Sequence, residues 1–72
     1  MRGNYLYKKI GEKIYQIRKK KFISQERLAL ISDIDRTYLS RIEKGKANPS
    51  LKILYKISKN LGLKISRLIK EV

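Results

Sequence analysis

The sequence has no cysteine, no histidine and no tryptophan, and a single proline among 72 residues. Without thiols or imidazoles there is no disulfide framework, no thiolate nucleophile, no imidazole base and none of the usual zinc ligand sets. Neither a metal nor any other cofactor is expected. Acids are scarce as well, six Asp plus Glu against 19 Lys plus Arg, and they are better explained as helix caps and an ion pair than as a catalytic set. Long apolar runs are missing. The longest is Leu28-Ala29-Leu30-Ile31, whereas a secretory signal needs roughly 7 to 15 apolar residues and a membrane span 18 or more. The expectation is a cytoplasmic protein with no membrane partner.

A chain of this length forms one domain, residues 1–72, and buries only ~60% of its exposable surface, which leaves little room for a deep cleft. Gly45-Lys46 lacks both the upstream Gly and the following Ser or Thr of a phosphate-binding loop. No catalytic constellation is present, and an enzyme is not expected.

What the sequence does have is positive charge, a formal +13, together with 42% hydrophobic residues rich in Ile and Leu. The charge argues for attraction to a polyanion. The hydrophobic content is too high for a disordered basic tail, so the charge belongs to a folded domain.

Apolar residues at Leu6, Ile10, Ile14 and Ile17 recur at helical intervals, with Lys8, Lys9, Glu12, Lys13 and Gln16 on the other face. This first helix should run from about Tyr5 into Arg18-Lys19-Lys20-Lys21, where cations sit well at the negative end of the helix dipole. That basic run serves either as a solvated helix end or as a phosphate contact. Ser24 then caps a second helix of about two turns containing Leu28, Ala29 and Ile31. Asp33 tolerates the left-handed backbone of a tight turn, and Asp35 can cap a third helix that runs to Lys44 with Leu39 and Ile42 inward. Gly45 ends it. Ser50 caps a fourth helix marked by Leu51, Leu54, Ile57 and Leu61 and stopped by Gly62. Leu63, Ile65, Leu68 and Ile69 allow a fifth before Val72. Nothing alternates with period two, so the reading is all-α, five helices in one compact bundle.

Two short helices joined by a tight turn, the second with Arg36, Thr37, Ser40, Arg41 and Lys44 away from its apolar stripe, form a helix-turn-helix. Small Ala29 lets the two cross closely, and polar residues on the second helix suit the edges of bases in a major groove about 12 Å wide.

From Ile10 to Ile69 the chain resembles the lambda-repressor-like helix-turn-helix proteins of the Xre or Cro type. The resemblance lies in Arg18, the run Ser24-Gln25-Glu26-Arg27-Leu28-Ala29, the run from Ile34 to Gly45, then Asn48-Pro49-Ser50-Leu51 and Leu61-Gly62. Within the family, Asp35-Arg36-Thr37-Tyr38 looks most like the controller proteins of restriction-modification systems. The resemblance implies a sequence-specific regulator of transcription that binds double-stranded DNA. Gln25 would face the DNA backbone, while Arg36, Thr37, Ser40 and Arg41 would be presented to the major groove. Arg36 is the first choice for a bidentate contact to guanine, worth about 1–3 kcal/mol of discrimination. Lys44, Lys46 and Asn48 would hold the backbone beyond. Tyr38 is open between a ring packed on the second helix and a hydroxyl on phosphate. Arg18 and Glu43 match a structural ion pair between the first and third helices, in keeping with Glu43 being the only acid on a helix otherwise built to face phosphate.

Some positions depart from the family pattern. Phe22 stands where Gly or Asn is common, Ala47 where a cation often lies beside Asn-Pro, Lys64 where a Ser or Thr usually caps the fifth helix, and Leu30 at a site that is often polar. One module buries about 600–1,000 Å² on DNA, so a homodimer on a palindromic operator is expected. The candidate dimer surface is Ile53, Tyr55, Leu63, Ile65, Ile69 and Val72, with a core role as the alternative for each. A second function class is an antitoxin of the same fold that binds a toxin and represses its own operon. A third, non-specific binding by a basic amphipathic helix, predicts affinity without base preference.

Overall fold

The computed structural model describes residues 2–70, with side chains from residue 5 onward. The elements follow in the order α1 (Arg2–Lys20), α2 (Gln25–Ile31), α3 (Arg36–Glu43), α4 (Leu51–Asn60) and α5 (Ser66–Ile69). All regular structure among the described residues is helical. Val72, one of the apolar residues offered for the dimer surface, lies outside the described residues.

Three helices start on side-chain caps at the expected residues. Ser24 Oγ accepts from the Arg27 amide at 2.9 Å, Asp35 Oδ2 from the Thr37 and Tyr38 amides at 2.9 and 3.4 Å, and Ser50 Oγ from the Ile53 amide at 3.2 Å. Each cap residue keeps extended backbone, and each satisfies amides that have no partner within the helix. Where Lys64 left no cap in the sequence, none forms: Ile65 stands at the cap position of α5 without a side-chain hydrogen bond, and the helix is a single turn.

Four helices end on one motif. The amide two residues past the cap reaches back to a carbonyl of the last turn: Ile23 to Arg18, Ile34 to Ala29, Lys46 to Arg41 and Leu63 to Ser58, at 2.8–3.1 Å. This closure needs a left-handed residue before the reaching amide. Gly45 and Gly62 supply it at φ 74 and 78, Asp33 at 58, and Phe22 at 56. Phe22 is thus the one residue with a bulky β-substituent held in a conformation that suits glycine.

Ile10, Ile14, Leu28, Leu39, Ile57 and Leu68 anchor a single core, to which every helix contributes. Two departures from the expected stripes have a common cause. Leu6 and Leu51 are exposed, Leu51 by 68%, because each lies near a helix start and side chains lean toward the N-terminus, beyond the walls that cover the next turn. Ile31, at the end of α2, is exposed too. On α1 the inward stripe is instead Ile10, Ile14 and Arg18.

Glycine also sets how closely α1 lies on α3. A Cβ on Gly11 would fall 2.2 Å from the Ile42 carbonyl oxygen, so only hydrogen fits there. Two residues further along, α1 is tied to the end of α5 by a hydrogen bond from Lys13 Nζ to the Lys70 carbonyl. Asn60 Nδ2 joins α4 to α2 by donating to Ser32 Oγ at 3.3 Å. Among the described residues no buried side-chain nitrogen or oxygen lacks a partner. No helix among them is long and apolar enough to cross a membrane.

Candidate nucleic-acid interface

The floor of the candidate interface is the Arg18–Glu43 pair. Arg18 Nε donates to Glu43 Oε2 at 2.7 Å and Nη2 to Oε1 at 2.9 Å, a two-pronged contact buried between α1 and α3. The third nitrogen, Nη1, donates to the Ile23 carbonyl at 3.0 Å and fixes the α1–α2 turn. Tyr15 covers the guanidinium, its ring centroid 5.3 Å away. Burying two charges is costly in itself and is offset only when the remaining donors and acceptors are met. Here they are met, and the geometry agrees with the structural role expected of both residues.

Gln25 builds on that floor. Its Nε2 donates to Glu43 Oε1 at 3.1 Å, which turns the amide oxygen toward α3, where Arg36 Nε approaches it at 3.5 Å. A carboxylate accepts and never donates, so Glu43 fixes which way the Gln25 amide faces. The expectation that Gln25 faces outward takes a different form: the side chain is half-buried and turned inward, and its oxygen meets an arginine. Arg36 makes this contact through Nε and not through its two terminal nitrogens.

Arg36 and Thr37 are exposed and Ser40 is half-buried, and together with Gln25 they line one shallow depression. These three fall on the first two turns of α3, as a helix that enters a groove by its N-terminal end requires. Tyr38 is half-buried against the core, which matches the packed alternative for its ring. Arg41 is exposed but partly engaged: Nη2 donates to the Lys46 carbonyl at 2.8 Å, clamping the α3–α4 loop onto its helix. Lys44, Lys46 and Asn48 are all exposed around that loop, whereas Ala47 leans on the core. At the other end of α1, Lys21 Nζ hangs beside Gly62, where α4 finishes. That member of the basic run therefore meets the negative end of a helix dipole.

Of the apolar residues expected at a dimer surface, Ile53, Leu63 and Ile65 are half-buried against the core, while Tyr55 and Ile69 are exposed. Leu51, one of the spaced apolar residues that mark α4, is exposed as well. Its i, i+4 relation to Tyr55 puts the two on one face of α4. Leu30 is 70% exposed on α2, away from this group in sequence.

Residues 14–68 match a family model described as helix-turn-helix. The chain is 46% identical over 65 residues to the control protein C.MunI of a Mycoplasma species, covering 89% of this chain and 88% of that protein. Among solved structures it is similar to the restriction-modification controller protein C.AhdI from Aeromonas hydrophila, with a TM-score of 0.84 and 34% identity over 86% of this chain and 94% of that one. It is also similar to SinR, a master regulator for biofilm formation, in a complex with DNA, with a TM-score of 0.81 and 37% identity over 85% and 98% of the two chains.

Proposed function

Since the chain belongs to the lambda-repressor-like helix-turn-helix family of transcriptional regulators, we propose that it is a cytoplasmic controller-type regulator that binds a palindromic operator as a homodimer, with α3 in the major groove. The observation that carries this reading is the grouping of Arg36, Thr37, Ser40 and Gln25 on one surface, above a buried ion pair that fixes their scaffold. Arg36 reads a guanine through its terminal nitrogens. Thr37 and Ser40 meet neighbouring base edges or phosphates. Lys44, Lys46 and Asn48 hold the backbone, and Arg41 supports them by clamping their loop. The dimer forms through the exposed residues Leu51, Tyr55 and Ile69. Half-site centres then lie roughly 34 Å apart or a multiple of it.

Selection of bound sites from random duplex DNA, followed by a footprint, tests the reading. The expected result is a two-fold symmetric site with a guanine in each half whose preference fades in Arg36→Ala, at a cost of about 1–3 kcal/mol per half-site on the selected site alone. Binding with no sequence preference, or a preference unchanged by Arg36→Ala, would overturn this placement of α3.

A further inference from the structure

Lys8 lies far from the helix-turn-helix in sequence but beside it in space. A Cβ on Gly45 would fall 2.7 Å from Lys8 Cα and 3.0 Å from Lys8 Cβ, so the base of the Lys8 side chain rests on the turn that follows α3. Gly45 is flanked by Lys44 and Lys46, and all three lysines are exposed. The close approach at Gly11 locks the same stretch of α1 onto the end of α3, so the backbone positions from which the three lysines project are fixed by close contacts. The neighbouring lysines of α1 are engaged elsewhere. Lys9 is half-buried with Nζ 5.7 Å over the Tyr5 ring, and Lys13 donates to the Lys70 carbonyl. Glu12 lines the same shallow surface as Lys8 but does not pair with it, since Arg18–Glu43 is the sole ion pair among the described residues.

Three exposed lysines that project from one tight turn and from the helix segment against it concentrate positive charge there, which attracts a polyanion. We infer that Lys8 is a phosphate-contacting residue and that the DNA-binding surface extends from the helix-turn-helix onto the first turns of α1. This rests on the proposed reading of Lys44 and Lys46 as backbone contacts. Lys8 contributes affinity and registers the protein on the duplex, without reading bases.

The test is fluorescence anisotropy of a labelled duplex against salt concentration, for the unsubstituted protein, Lys8→Gln, Lys8→Arg and Lys59→Gln. Each phosphate neutralised contributes about 0.9 to the slope of log affinity on log salt. Lys8→Gln removes one such contact from each protomer of the homodimer, so it should lower the slope by about 1.8 and weaken binding about thirtyfold at 0.15 M salt, equally on selected and random duplexes. Lys8→Arg should restore both, and Lys59→Gln, on α4, should change neither. An unchanged slope in Lys8→Gln, a changed base preference, or an equal loss in Lys59→Gln would each overturn the inference. If the unsubstituted protein bound no duplex at all, the reading beneath it would fall first. Thermal melting of Lys8→Gln should match the unsubstituted protein, because the side chain is exposed.

Discussion

Glu43 accepts two hydrogen bonds from Arg18 and one from Gln25 inside the fold, and removing it would leave a buried guanidinium with no counter-charge. Breaking such a pair from one side costs about 3–5 kcal/mol. Glu43→Ala should therefore lower the thermal midpoint by more than roughly 12 °C, at the 4–8 °C per kcal/mol typical of domains this small. An unchanged midpoint would mean that the pair does not hold α1 to α3. Phe22 should respond in the opposite direction. Its ring is 95% exposed and its backbone is left-handed, so the side chain gains no burial while the conformation costs about 1–2 kcal/mol. Phe22→Gly removes that cost but adds freedom to the unfolded chain, worth about 0.4–1 kcal/mol. The expected outcome in a melting experiment is a net gain of about 0.5–1 kcal/mol. A loss would show that the ring makes a contact of its own.

At the scale of helices, starts were readable because Ser24, Asp35 and Ser50 announce themselves chemically, and three of the four left-handed ends because Gly45, Gly62 and Asp33 suit that backbone. The fourth was not, since nothing in an aromatic side chain signals positive φ; the fold imposes it on Phe22. The start of α1 at Arg2, before the expected Tyr5, likewise had no cap to mark it. Spacing alone also set Leu51 on the apolar stripe of α4, because periodicity assigns a face and says nothing of where the covering wall stops. Its exposure beside Tyr55 sharpens the expected dimer surface on α4. Tyr55→Glu should shift sedimentation equilibrium toward monomer and leave the melting of the monomeric fold nearly unaltered, because the residue is more than half exposed. A dimer of unchanged affinity would move the contact elsewhere.

Across the whole molecule the charges divide in a way that composition could not show. From Lys44 to Lys70 the chain carries eight cations and no acid. Among the remaining acids, Asp35 caps α3, Asp33 shapes a turn and Glu43 neutralises Arg18. The grouping of Arg36, Thr37 and Ser40 on one face of α3 was legible in the sequence because a helix face is a local property. The inward turn of Gln25, the clamp from Arg41 to the loop and the nearness of Lys8 to Gly45 were not, because each depends on elements brought together only by folding. The glycines at 11 and 45 carry one more consequence. By fitting α1 flush against α3 and its turn, they set the backbone of the proposed reading helix in close register with the turn that carries Lys44 and Lys46. The entropy of ordering that surface is therefore spent during folding and not at the moment of encounter. Association with DNA would then be governed by electrostatic steering and orientation, with no slow rearrangement in its path.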